Sequence, residues 1–264
     1  MTNIELTQSD VARIDRLRVF NGLMAALHFV QGVVILLLAK DFELPVETAF
    51  LKYDQGAGEL VTERDVLFDL PLAYLIAAFV FISAGAHLLV TLPGVFQWYR
   101  RNLGRSINYV RWWEYALSAS IMIVVIAMLV GIYDLAALLA LFAINACMIL
   151  CGLLMEVFNT PGKRVNWTPF WLGCFAGIIP WIVITLFLVA PASRSLGDVP
   201  TFVYGIYISL FLFFNVFALN MWLQYKQVGP WRDYLFGETA YIVLSLTSKS
   251  ALAWQTFFGT LRDV

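Results

Sequence analysis

YIVLSLTSKSALAWQTFF, residues 241–258, is an apolar run with one lysine, Lys249, near its middle. At 1.5 Å per residue it covers most of a hydrocarbon core of about 30 Å. A charged side chain at the centre of such a helix costs roughly 2.5–3.5 kcal/mol on insertion scales. A partner for Lys249, or chemistry at its nitrogen, has to offset that cost.

The rest of the chain fits a membrane setting. Of 264 residues 61% are hydrophobic, 16% aromatic and 13% charged. A soluble domain of this size needs far more charge on its surface. Long apolar runs point to a polytopic α-helical membrane protein, and alternating ten-residue segments are too few for an outer-membrane barrel. The net charge of −1 argues against nucleic acid as a partner. The start, MTNIELTQSDVARIDRLR, mixes acids and bases without a cleavage site after a short apolar core, so no signal peptide is expected. Cys147, Cys151 and Cys174 fall in apolar segments without a metal-ligand pattern and are expected to be packing residues; no metal is expected.

Seven spans are expected, at about 14–39, 69–93, 107–132, 134–157, 167–191, 199–226 and 234–261, forming one domain over residues 1–264. No internal repeat is visible, which weakens an inverted-repeat transporter reading. With the amino terminus in the cytoplasm, the inner face collects Arg13, Arg16, Arg18, Arg100, Arg101, Arg105, Arg111, Lys163, Arg164, Lys226 and Arg232. The outer face receives Lys40, Lys52, Arg64, Arg194 and Arg262. That bias predicts a cytoplasmic amino terminus and an extracellular carboxyl terminus. The long loop between spans one and two contains ETAFLKYDQGAGELVTERD, two partly alternating stretches around QGAG. A short two-stranded β-hairpin is expected there, with an irregular acidic loop as the alternative.

Few ionisable groups lie well inside the spans, and each is a functional candidate. Glu114 falls about two turns into span three and Lys249 about fifteen residues into span seven, whose first turn up to Glu238 reads as interfacial. The two depths are compatible with a direct pair. A carboxylate beside a cation makes both tolerable in low dielectric, so a purely structural salt bridge between spans three and seven is one reading. Ser245, four residues before Lys249 on the same face, is placed to hydrogen-bond either member. The two histidines, His28 and His87, also lie in spans and lack a third ligand at metal spacing. They are either structural hydrogen-bonders or members of a shared polar cavity.

A lysine in this position can also condense with an aldehyde to give a Schiff base, whose protonated form needs one carboxylate nearby. VLSLTSKSALAWQ (243–255), RWWEYALSASIMIV (111–124), ALLALFAINACMILCG (137–152), PFWLGCFAGIIPWI (169–182) and FVYGIYISLFLFFNVFAL (202–219) resemble the corresponding helices of the heliorhodopsins, retinal proteins of inverted membrane orientation. The resemblance runs from about residue 18 onward, long first loop included. It implies an all-α membrane protein with a rhodopsin-like bundle of seven transmembrane helices and a hairpin in the loop between helices one and two. It further implies all-trans retinal covalently bound to Lys249, Glu114 as the counterion and Ser245 bonded to this pair. His28 and His87 match the histidines of a water-containing cavity on the cytoplasmic side, which would help hold a released proton. Asn108 and Tyr115 flank the counterion; Ser118, Met122, Asn145 and Phe214 fall where the polyene pocket would be. Homodimers are typical of the family, with the first loop forming a sheet at the outer face. The inverted orientation agrees with the charge bias, whereas ordinary microbial rhodopsins and G-protein-coupled receptors run the other way.

A proton pump of the ordinary microbial kind needs acceptor and donor carboxylates three turns apart on the third helix. Val125 holds the donor position here, Ser245 stands where a second acid is usual, and Glu114, Ser118 and Val125 complete no ion-pump triad. With one carboxylate a proton can leave and return, and the outer half reads as closed and apolar. A slow, sensory or regulatory photocycle is therefore expected, with a light-gated or light-driven ion transporter as the alternative. A retinal-free transporter or membrane enzyme lacks a nucleophile–base set. No output domain is expected beyond residue 261, so the signalling partner is expected to be a separate molecule at the cytoplasmic face, and the surroundings membrane lipid.

Overall fold

The computed structural model describes residues 8–193 and 199–262; residues 1–7 and Arg194, one of the outer-face cations, lie outside the described residues. Among the described residues seven helices are long: α1 (Gln8–Leu38), α2 (Leu72–Leu89), α4 (Tyr109–Leu129), α5 (Leu135–Phe158), α6 (Thr168–Ser193), α7 (Thr201–Tyr225) and α8 (Tyr234–Thr256). A short α3 (Pro93–Leu103) follows α2, and α8 runs on into a π-helical turn, Phe257–Leu261. Consecutive long helices neighbour one another and α8 closes the ring against α1. The long helices thus form one closed bundle.

Six of the long helices are long and apolar enough to cross a membrane by length and composition; α8 is the exception among the seven. Its 23 residues reach about 34 Å, enough for a span, but its average hydropathy is lowered by polar residues. The two charged ones and two of the serines face inward: Glu238, Ser245, Ser248 and Lys249 are all buried. An average over a window cannot see which face carries the polarity.

Local chemistry sets the ends of the helices. Asn108 caps α4 by accepting from Arg111 N at 3.1 Å, and Asp134 caps α5 by accepting from Ala137 N at 2.9 Å. Asp233 caps α8 through Leu235 N at 3.0 Å. The second span is shorter than the 69–93 expected from hydropathy, and the residues beyond it fold. Pro93, at the first turn of α3, starts a new helix. Phe96, Tyr99 and Leu103 then repeat at helical spacing and bury themselves against α1 and α8, with Ile14, Leu17 and Leu235 in the same cluster.

The first loop is a hairpin, and it is long. β1 (Glu43–Asp54) pairs antiparallel with β2 (Glu59–Pro71), from Glu43↔Pro71 to Asp54↔Glu59, with a bulge at Val46/Glu47. The turn is the QGAG stretch: Asp54 Oδ1 accepts from Gly56 N at 2.8 Å, and Gly58 supplies the positive φ of +71° that an L-residue resists. The base of the hairpin is tied to the bundle, Glu47 N donating to Tyr133 O at 2.9 Å. Its outer part is exposed, with Leu51 72% accessible and Phe50, Tyr53 and Leu60 also exposed.

The two ends of the bundle differ. Toward the sheet the core is apolar: Ile35, Phe79, Met122, Ile126, Met128, Ile206, Leu210 and Leu252 pack in one cluster. Toward α3 lie the buried polar groups, among them Asn21, Asn108, Arg111, Glu156 and Glu238. Of the cysteines expected to be packing residues, Cys151 is half-buried and packs on α6, its Cβ 3.1 Å from where a Cβ at Gly173 would stand, while Cys147 and Cys174 are exposed.

Candidate functional site

Lys249 Nζ donates to Glu114 Oε1 at 2.7 Å and to Ser245 Oγ at 2.8 Å, all three residues being buried. Side chains of a helix lean toward its N-terminus, so the lysine reaches back along α8 to the level of Ser245 and meets α4 there. The Tyr115 ring lies 4.9 Å from the ammonium, and its hydroxyl donates to Tyr241 O at 2.8 Å. The two charges thus offset one another inside the bundle, where either alone would cost several kcal/mol.

Ser83 on α2 was not foreseen. Its hydroxyl donates to Glu114 Oε1 at 2.6 Å. The available signal was its spacing: Ser83 stands four residues before His87, on the same helix face. Ser118 sits beside Glu114, one turn along α4.

Beyond Lys249 a cavity of about 310 Å³ opens between α4, α5, α6, α7 and α8. Its walls include Trp112, Met122, Phe170, Trp181, Phe211 and Phe214, with Lys249, Ser245 and Tyr115 also on the lining. Trp181 meets Phe211 and Phe214 edge-on, at 5.2 and 5.6 Å between centroids. Glycine keeps α5 and α6 close at this wall: a Cβ at Gly177 would stand 3.0 Å from Met148 Cγ. Met122 and Phe214 are therefore wall residues. Asn145 is not among them; it turns to α4 and donates to Ser120 Oγ at 3.1 Å.

On the α3 side of Glu114 lies a second, small cavity of about 30 Å³, lined by Asn21, His87, Tyr99, Asn108, Arg111 and Tyr115 as well as Glu114. His87 Nδ1 is 2.7 Å from Asn21 Oδ1. His28 stacks on His87, 5.7 Å between centroids and 8° between planes, and neither of its ring nitrogens has a hydrogen-bond partner among the described residues. Asn108 does not touch Glu114 but forms the far wall. Burial pushes the Tyr99 phenol up to about 12, which keeps it a neutral donor.

The cavity ends on a buried ionic cluster that sequence reading missed. Arg111 pairs with both Glu156 of α5 and Glu238 of α8, and its guanidinium lies 4.1 Å from the Tyr241 ring centroid. Glu156 also accepts from Trp112 Nε1 at 2.7 Å, Asn108 N at 2.9 Å and Tyr234 OH at 3.2 Å. Glu238 accepts from Asn108 Nδ2 at 2.8 Å. Arg111 is therefore not a surface cation that reports orientation, and Glu238 is not interfacial: it is 0% exposed. Both misreadings come from position near a helix start, which does not reveal that α3 and the 3₁₀ turn Gly229–Arg232 extend the protein beyond that level.

Among the described residues no group of three or more His, Cys, Asp or Glu side chains is arranged to hold a metal ion. No curated protein matches the chain. The family model described as Heliorhodopsin matches residues 17–261. That match covers the ring of long helices, the hairpin, and both the Lys249–Glu114 pair and the cavity beside it, and so the chain belongs to the heliorhodopsins, a family of light-sensing retinal proteins of the membrane.

Proposed function

We propose that this protein is a sensory or regulatory photoreceptor, neither an ion pump nor an enzyme, that holds all-trans retinal covalently on Lys249 with Glu114 as its counterion. The observation that carries this is the Lys249–Glu114 contact at 2.7 Å on the edge of an apolar cavity of about 310 Å³. A cavity of that size and lining suits a rigid apolar ligand with one reactive end. Bound as a protonated Schiff base, retinal would supply visible absorption and an all-trans to 13-cis isomerisation that turns the nitrogen.

The protein's own residues do the rest. Glu114 and Ser245 hold the proton on the Lys249 nitrogen in the dark, and Ser83 fixes the carboxylate from the opposite side. A proton leaving the Lys249 nitrogen would enter the cavity lined by Glu114, His87, Asn21 and Asn108, with His28 behind it. A volume of about 30 Å³ admits a water between these groups. Toward the sheet, Met122, Val125, Ile126 and Met128 of α4 are buried and apolar and offer no proton acceptor. Such a proton would return the way it left, and a slow return would keep the altered state alive.

In the orientation that the charge bias supports, the amino terminus and α3 face the cytoplasm and the hairpin faces outward. A cytoplasmic signalling partner would read the α3 end. The exposed apolar side chains Phe50, Leu51, Tyr53 and Leu60 of the hairpin support a homodimer at the outer face, within membrane lipid.

The test is absorption of the membrane-expressed protein with all-trans retinal, followed by flash photolysis and photocurrent on the same sample. A visible band, a long-lived photoproduct and no current are expected. A current would move the protein to the ion transporters, and the absence of any band would leave Lys249–Glu114 a structural ion pair.

A further inference from the structure

The Arg111–Glu156–Glu238 cluster holds two carboxylates and one guanidinium, so with both acids ionised it carries one uncompensated negative charge away from water. The two acids are not equally satisfied. Glu156 has, besides Arg111, three further donors: the Trp112 indole, the Asn108 backbone and the Tyr234 hydroxyl. Glu238 has Arg111 and the Asn108 amide only, at 0% exposure. Glu238 therefore has fewer hydrogen bonds to give up than Glu156 when one of its oxygens takes on a hydrogen.

Position makes the same choice. Glu238 precedes Lys249 on α8 by about three helical turns, roughly 16 Å along the axis, which puts both on one face of the helix. The small cavity begins at Glu114 and ends at Asn108 and Arg111, the two residues that hold Glu238. The polar groups around the shared Arg111 come from several elements: Glu156 on α5, Asn108 at the start of α4, and Tyr234 and Tyr241 on α8; Asn220 on α7 donates to Gly237 O, beside Glu238, at 3.3 Å. Arg111 is the cation among them.

We infer that Glu238 is the carboxylate that takes up the proton released from the Lys249 nitrogen. The N–H bond at Lys249 breaks and an O–H bond forms on Glu238, with the Glu114–Asn108 cavity as the route. The cluster goes from one net negative charge to none, and Arg111 then answers to Glu156 alone. Release of Arg111 by Glu238 loosens α8 from α4 at the α3 end, which converts a proton shift into a movement that a partner can read.

This inference rests on the retinal reading, and infrared spectroscopy separates the two. In the full-length protein reconstituted with all-trans retinal, light is expected to produce a carboxylic-acid C=O band that forms with loss of the proton at Lys249. The band is expected to shift with isotope-labelled glutamate, disappear in Glu238→Gln, persist in Glu156→Gln, and move in frequency in Glu238→Asp, which keeps an acid in place. In the retinal-free protein, acid titration followed by the same technique is expected to lose one carboxyl step in Glu238→Gln. A light-induced band that survives in Glu238→Gln overturns the inference, and so does deprotonation at Lys249 with no carboxylic band in the parent protein. A parent protein with no visible absorption overturns the retinal reading itself, whatever the titration shows.

Discussion

Lys249 and Glu114 face each other at 2.7 Å across α8 and α4, and Ser83 of α2 closes on the same oxygen of Glu114 at 2.6 Å. Three helices thus meet at one carboxylate. Lys249→Ala is expected to abolish covalent pigment, read as the absence of a visible band that survives denaturation. It also strands Glu114 as a buried unpaired charge, which costs about 3–5 kcal/mol, so a lowered unfolding midpoint accompanies the loss of colour.

Glu114→Gln is expected to shift the visible band of the protonated pigment to the red, because the negative charge that localises the positive charge at the nitrogen is gone. Ser83→Ala leaves the carboxylate in place but removes one of its donors, so a smaller shift is expected. Absorption spectra of the two variants check this, and an unshifted Glu114→Gln spectrum would assign the counterion elsewhere.

Much of this was legible beforehand, and the limits have a physical cause. Apolar runs of span length gave the ring of helices, and QGAG gave the turn of the hairpin. The lone lysine in residues 241–258 led to Glu114 and Ser245, which do meet it. What escaped notice depends on facing. A membrane helix is apolar all round, so its sequence does not show which side turns inward. Arg111 and Glu238 looked like residues of the membrane surface, Glu156 stood one residue from the end of an expected span, and Asn145 looked like part of a ligand wall. In the fold the first three form one buried cluster and the fourth bonds to Ser120. α3 was missed for the opposite reason: its pattern of Phe96, Tyr99 and Leu103 is that of a surface helix, invisible to a search for long apolar runs.

Arg111→Leu is expected to be among the most damaging single changes outside the pigment site. It leaves Glu156 and Glu238 buried without their common cation, at a cost of about 3–5 kcal/mol. Thermal unfolding in detergent checks the size. Adding Glu238→Gln to Arg111→Leu is expected to recover part of the loss, because one of the two stranded charges is then removed.

Gly177→Leu is expected to block the cavity. A Cβ there already approaches Met148 at 3.0 Å, and the remaining atoms extend along the wall that Trp181 and Phe214 complete. Pigment yield should fall while the retinal-free protein still folds, as judged by helical circular dichroism.

Tyr99 offers a prediction in alkali. Burial raises its phenol from 10.0 to about 12, so folding favours the protonated form. The stability this gives is complete below pH 10 and is lost as pH rises through about 12. Ultraviolet titration of tyrosinate is expected to show one late step that Tyr99→Phe removes.

The inward-facing polarity of α8 has a consequence for how the chain is made. A helix carrying both Glu238 and Lys249 has little reason to leave water for lipid by itself, each charge opposing insertion by a few kcal/mol. It partitions when earlier helices already in the bilayer present Arg111 and Glu114 to receive those charges. The last long helix is therefore recruited by the ones before it, and biogenesis of the bundle ends with the closing of its ion pairs. A chain that lacks Glu114 or Arg111 loses more than a partner in the finished protein: it loses the template that draws α8 into the membrane.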